Sequence, residues 1–229
     1  PLPLLTLSRG SDRLRPPWPD LVITCGRQPI APLVALQRRL SGGGRRRPVL
    51  IAIQDPTWVQ QRFDLIVAPT HDRLQLPNVI ESLGSMHRVT PERLAREGAL
   101  WAPRFARLPR PLVGVLLGGT SRAHQMTVAA ATQLGRDLAR MQREAGGSLL
   151  VTASRRTPPE AFQALRAELG EAPRFEWSGE GENPYFGILA AAEALVVTDD
   201  SVNMTSEAAA SGKPVMVFAL EGGSEKFSR

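Results

Sequence analysis

The stretch 194–218, ALVVTDDSVNMTSEAAASGKPVMVF, decides the fold. An apolar run at 194–198 ends on Asp199-Asp200-Ser201, residues 202–211 follow with helical character, Gly212 closes them, and 214–218 is apolar again. A short uninterrupted apolar run bounded by polar residues fits a strand buried on both faces, and strand–helix–strand spacing implies parallel pairing through a crossover. The same rhythm extends toward the N-terminus. Residues 148–152 (SLLVT) form a strand ending at Ser154-Arg155-Arg156, and 112–117 (LVGVLL) a strand running into Gly118-Gly119-Thr120-Ser121. Between them Thr127 caps a helix whose Ala131, Leu134, Leu138, Met141 and Ala145 recur at helical steps. A helix over 158–169, a short strand over 175–177 and a short helix over 184–192 complete this half.

The first half repeats the alternation with shorter pieces. Residues 20–25 (DLVITC), 48–53 (PVLIAI) and 64–68 (DLIVA) read as buried parallel strands, with a helix over 31–40 and a loop at 42–47. Each strand ends where polar residues collect: Gly26-Arg27-Gln28, Gln54-Asp55 and Thr70-His71-Asp72. Ligands of open α/β sheets bind beyond the carboxyl ends of strands, so Arg27, Asp55, His71 and Asp72 are expected to share one cleft wall. Thr90 with Pro91 opens a helix to about residue 97. The three prolines of 102–111 mark the boundary, giving an N-terminal lobe over 1–106 and a second lobe over 107–229. The expected class is α/β, with two Rossmann-like lobes built on parallel sheets. A start at Pro1 without Met, a proline-rich 1–19 and an end straight after the last strand suggest a piece truncated at both ends.

The chain has 229 residues and a net charge of +6, and all but Lys213 and Lys226 of its 28 basic residues are arginine. The arginines are scattered apart from Arg45-Arg46-Arg47, aromatic platforms are few, and no nucleic-acid-binding signature occurs, so no nucleic-acid partner is expected. Cys25 stands alone, which excludes a disulfide framework and predicts a cytoplasmic setting. No apolar run is long enough to span a bilayer, leaving peripheral membrane association as the expected limit. His71, His87 and His124 lack zinc-site spacing, so no metal and no cofactor are expected.

Three loops of the second half carry candidate chemistry. Gly118-Gly119-Thr120-Ser121 lets backbone approach a phosphate closely and offers hydroxyl and amide donors; a tight strand–helix turn explains it equally well. Ser201, Asn203 and Met204 begin a helix whose amides and dipole suit a phosphate, with Glu207 one turn in, where a carboxylate accepts two ribose hydroxyls. The alternative is a capping arrangement of Asn203 with Glu207. Arg155 and Arg156 close a neighbouring strand, as a diphosphate clamp or as a solvated loop. His71-Asp72 fits a base with its orienting carboxylate, though a structural pair is the commoner outcome.

The late Ser201-x-x-x-x-Ser206-Glu207-Ala208 helix and the Gly212-Lys213-Pro214-Val215 strand resemble the nucleotide-sugar-binding half of GT-B glycosyltransferases. Pro19-Asp20-Leu21-Val22-Ile23, Gln54-Asp55-Pro56, Phe63-Asp64-Leu65-Ile66-Val67-Ala68-Pro69-Thr70-His71-Asp72, Gly84-Ser85-Met86-His87-Arg88-Val89-Thr90-Pro91, Ser154-Arg155-Arg156-Thr157-Pro158, Asn183-Pro184-Tyr185-Phe186-Gly187 and Glu221-Gly222-Gly223-Ser224 resemble the mitochondrial-fission (elongated mitochondria) family over 19–229. That resemblance implies a GT-B-like glycosyltransferase, taking a nucleotide-diphosphate sugar and a cell-envelope glycan or lipid acceptor. Plant members are implicated in mitochondrial fission by recruiting a dynamin-related protein, which implies the alternative of a non-catalytic adaptor. Carried over by position, Gly118, Gly119, Thr120 and Ser121 would face the donor diphosphate, as would Ser201, Asn203 and Met204. Glu207 would hold the ribose, and Arg155 and Arg156 would assist the leaving group in place of a metal. No residue matches a catalytic base. A nucleotide-sugar epimerase is disfavoured by the absence of GxGxxG and Tyr-x-x-x-Lys.

Overall fold

The computed structural model describes residues 10, 15–41, 47–121 and 123–223. The expected irregular start, apart from its last residues, and most of the 42–47 loop lie outside them. Chain contacts divide the protein into two units, 1–85 and 86–229. Among the described residues no helix is long and apolar enough to cross a membrane.

Unit 1 holds β1 (Leu21–Cys25), α1 (Ile30–Ser41), β2 (Val49–Ile53), β3 (Leu65–Pro69) and β4 (Val79–Ser82), the strands pairing in parallel in the order β1-β2-β3-β4. The register sets Val22 opposite Leu50 and, two residues further along, Ala52, Ile66 and Val79 in one row on the same face. That face packs with Ile30 and Val34 of α1 and with Val59 and Phe63 from the β2–β3 connection. The expectation of strands buried on both faces fails here. Leu21, Ile23, Val49 and Ile80 alternate onto the other face and are exposed, because the described connections leave helix on one side only.

Unit 2 holds α2 (Pro91–Phe105), β5 (Leu112–Leu117), β6 (His124–Gln125), α3 (Val128–Ala145), β7 (Ser148–Ala153), α4 (Pro159–Leu169), β8 (Arg174–Trp177), α5 (Tyr185–Ala191), β9 (Ala194–Thr198), α6 (Val202–Ala210), β10 (Val215–Phe218) and β11 (Glu221–Gly222). Five strands form a parallel sheet in the order β10-β9-β5-β7-β8. Here both faces are buried, which is why β5, β7 and β9 read as unbroken apolar runs. Val115, Leu149 and Val151 face Leu134 and Leu138 of α3 and Leu165 of α4. Leu116, Leu150 and Val197 face Trp101 and Phe105 of α2 and Ile188 of α5. The α/β class with parallel sheets is as expected.

The domain boundary differs from the expectation at 106/107. The helix opened by Thr90, whose hydroxyl accepts from the Arg93 N–H, runs on to Phe105 through Pro103. Its Trp101 stacks on Phe105 and meets Phe175 of β8 edge-on, so α2 belongs to the core of unit 2 and the division falls at 85/86. Proline composition marked the end of a helix, not the end of a domain.

Candidate functional site

Strand order reverses in unit 2 between β5 and β9, the position at which α/β sheets open a crevice at their carboxyl edge. The turn at 118–121 leaves β5 there, but its amides are already engaged. The Gly118 N–H donates to Thr198 Oγ1 at 2.8 Å, Gly119 to Asp200 Oδ2 at 3.0 Å, Thr120 to the Arg156 carbonyl at 3.2 Å and Ser121 to the His124 carbonyl at 2.8 Å. A Cβ on Gly118 would stand 1.8 Å from Asp200 Oδ1, and one on Gly119 would stand 1.9 Å from the Arg156 carbonyl oxygen. These two glycines therefore admit neighbouring loops to the backbone, the tight-turn alternative for this motif.

Asp200 is the centre of that arrangement. Its side chain has no exposed surface, and it accepts from the Gly119 N–H, from Thr198 Oγ1 at 2.7 Å and from Arg156 Nη2 at 2.7 Å. Arg156 is thus paired within the protein. Arg155, beside it, is exposed and lines a cavity.

That cavity measures about 610 Å³ and lies along the carboxyl ends of β5, β7 and β8, within the usual range for small-molecule sites. Leu117, Trp177, Tyr185 and Met204 give it apolar walls, and Arg155 and Glu180 contribute opposite charges. Trp177, Glu180 and Tyr185 escaped the sequence reading. The strand-end rule that picked out the other loops applies equally to the Trp177-Ser178-Gly179-Glu180 exit from β8, and would have found it.

At the start of α6 Ser201 is the cap: its Oγ accepts from the Met204 N–H at 3.4 Å. Asn203 is exposed and does not cap. Glu207 does not cap either; its Oε2 accepts from the Tyr185 hydroxyl at 2.7 Å. The capping alternative for Asn203 with Glu207 is therefore not what forms. Met204, three residues before Glu207 and so on the same face of the helix, lines the cavity. Burial pushes the Tyr185 phenol well above its ordinary range, and the Glu207 carboxylate beside it adds to the effect.

In unit 1 the four expected residues follow adjacent strands, Arg27 after β1, Asp55 after β2, and His71 and Asp72 after β3. Arg27 is exposed. Asp55 Oδ1 accepts from the Thr57 N–H at 2.8 Å and from Gln60 Nε2 at 2.9 Å, which closes its own loop. His71 Nε2 lies 3.8 Å from Asp72 Oδ1, beyond hydrogen-bonding reach. No group of metal-binding side chains occurs among the described residues.

Comparison with known proteins adds the following. A family model described as mitochondrial fission ELM1 matches residues 2–229. The mitochondrial fission protein ELM1 of Arabidopsis thaliana is 32% identical over 227 residues, covering 89% of this chain and 52% of the relative. An uncharacterized protein of Rickettsia prowazekii (strain Madrid E) is 23% identical over 235 residues, covering 87% of this chain and 64% of the relative. The chain thus spans between half and two thirds of the length of these curated relatives. Among solved structures, the UDP-GlcNAc 2-epimerase from Neisseria meningitidis bound to UDP-GlcNAc aligns with a TM-score of 0.55 and 14% identity, over 87% of this chain and 59% of that one. At that identity the likeness establishes the GT-B-like fold alone.

Proposed function

The chain belongs to the mitochondrial fission ELM1 family, and from that premise we propose that unit 2 binds a nucleotide-diphosphate sugar and that the protein transfers the sugar, without a metal, to a glycan or lipid acceptor. The observation that carries this reading is the cavity at the carboxyl edge of β5, β7 and β8, with Arg155 on its wall and the Tyr185–Glu207 pair beside the start of α6. A nucleoside has a flat apolar base, a diol and an anionic tail. Leu117 and Trp177 suit the base, and Glu207 suits the diol. Arg155 and the first amides of α6 suit the diphosphate.

The chemistry asked of these groups is electrostatic. When the glycosidic bond to the diphosphate breaks, negative charge grows on the leaving oxygens, and a guanidinium with helix N-terminal amides stabilises that charge before solvent can reorganise. Arg156, Asp200 and 118–121 hold the frame around this site instead of touching the donor. The relative whose name states a role in mitochondrial fission supports a second reading, a non-catalytic adaptor on the same fold.

Calorimetry with UDP, GDP, ADP and CMP tests the proposal. At least one nucleotide is expected to bind, and Glu207→Ala is expected to weaken it by about tenfold or more. Absence of binding by all four overturns the donor site. Binding without release of nucleoside diphosphate from any donor sugar favours the adaptor.

A further inference from the structure

Tyr185 is the single tyrosine of the chain, and its backbone is tied down locally. Its N–H donates to Asn183 Oδ1 at 2.9 Å, and its ring meets Phe186 edge-on with centroids 5.4 Å apart. Phe186 is itself covered by the Arg93 guanidinium at 3.7 Å from the ring centroid, which fixes the first turn of α5 against α2. From this anchored base the phenol reaches across to a different helix and donates its O–H hydrogen bond to Glu207 Oε2 at 2.7 Å.

A glutamate on a helix surface has three rotatable bonds, and ordering it opposes any ligand that needs one orientation. The bond from Tyr185 removes that freedom in advance. An ionised carboxylate offers about four lone-pair positions, so one donor leaves the rest for a ligand. Tyr185 lines the cavity and Glu207 shares the helix face of cavity-lining Met204, so the pair stands at the cavity's edge.

We propose that Tyr185 is a positioning residue that holds the Glu207 carboxylate in the orientation that accepts the 2′ and 3′ hydroxyls of a ribonucleoside diphosphate, an inference that rests on the reading of Glu207 given above. Tyr185 thereby sets the preference for ribonucleotides over their deoxy forms, while the base and diphosphate contacts are independent of it. Burial, with the neighbouring Glu207 carboxylate, pushes the phenol's ionisation well above its ordinary range, so it keeps its proton and can donate across the neutral range.

The test is the ratio of affinities for UDP, GDP, ADP and CMP over their 2′,3′-dideoxy counterparts, measured by calorimetry on the whole chain. The wild-type ratio for the nucleotide that binds is expected to be about tenfold or more. In Tyr185→Phe that ratio is expected to fall at least about threefold toward unity with dideoxy affinity unchanged. A loss of packing alone would weaken both forms equally. A Tyr185→Phe protein that keeps the wild-type ratio, or loses affinity for both forms alike, overturns the positioning role and leaves the donor site standing. A wild type that binds none of UDP, GDP, ADP and CMP overturns both. Because one tyrosine gives one ring signal, ring-¹³C-tyrosine NMR of the unaltered protein decides the matter should the variant not fold. The ribonucleotide is expected to shift that signal further than the dideoxy form does. Equal response to both is the overturning result.

Discussion

Arg156 Nη2 lies 2.7 Å from Asp200 Oδ2, and the carboxylate it meets has no exposed surface. Truncating Arg156 leaves a buried charge that, among the described residues, keeps the Gly119 N–H and the Thr198 hydroxyl as donors. Arg156→Ala is therefore expected to lower stability by about 1–3 kcal/mol, read by urea denaturation. Lysine at that position should restore only part of the loss, since it lacks the planar fork.

Arg155 predicts the opposite pattern. It is exposed and lines the cavity, so Arg155→Ala is expected to leave the urea midpoint unchanged and to weaken nucleoside diphosphate binding by about tenfold. Titration of the two arginine variants side by side separates the stabilising residue from the ligand-facing one.

The two glycines after β5 differ in what an added methyl would strike. On Gly118 it meets the Asp200 side chain, and on Gly119 it meets the Arg156 backbone. Both substitutions overpack the turn at a cost of about 1–3 kcal/mol, with Gly119→Ala the more severe because a backbone cannot rotate away. Thermal unfolding of the two alanine variants checks the order.

Trp101 tests the division of the chain. It is 1% exposed and stacks with Phe105 over Phe175. Trp101→Ala is expected to destabilise by about 3–5 kcal/mol. Hydrogen exchange should show lost protection in β5 and β7 of unit 2 and unchanged protection in β2 and β3 of unit 1. Loss in unit 1 instead would place α2 in the wrong unit.

Asp64 supplies a pH dependence. The Arg47 guanidinium bonded to it, assisted by the Leu50 N–H, holds its carboxyl below the usual range against a smaller opposing effect of burial. A depressed folded value stabilises at pH above about 4, where the unfolded carboxyl is ionised too, and the gain disappears as pH falls through the folded value. The stability difference between wild type and Asp64→Asn should be present at pH 6 and shrink on acidification, measured by urea denaturation from pH 6 to pH 3.

Much of the fold was legible because its signals are local. The apolar runs of β5, β7 and β9 need no partner to be recognised, and Thr127 and Thr90 cap the helices that their hydroxyls predict. β4 escaped because Val79-Ile80-Glu81-Ser82 is four residues long and lies at an edge. The pairing of β11 with β6 escaped because it joins two residues to two others far away in sequence. Pro103 looked like an end to α2, but the burial of Trp101 and Phe105 on either side of it holds the last turn in place.

The sequence by itself determined the α/β class, the strand ends where polar residues gather, and the choice of Arg155, Met204 and Glu207 as residues of interest. Periodicity, caps and glycines are all expressed within a few neighbouring residues. Only the tertiary structure decided that Asp200 fills the turn after β5, that Glu207 pairs with Tyr185 instead of capping its own helix, and that Leu21, Ile23, Val49 and Ile80 of the unit 1 sheet are exposed. The physical reason is reach. The bonds at Asp200 and Glu207 join residues 81 and 22 positions apart, and loops brought together by strand order carry no periodicity from which their partners can be read.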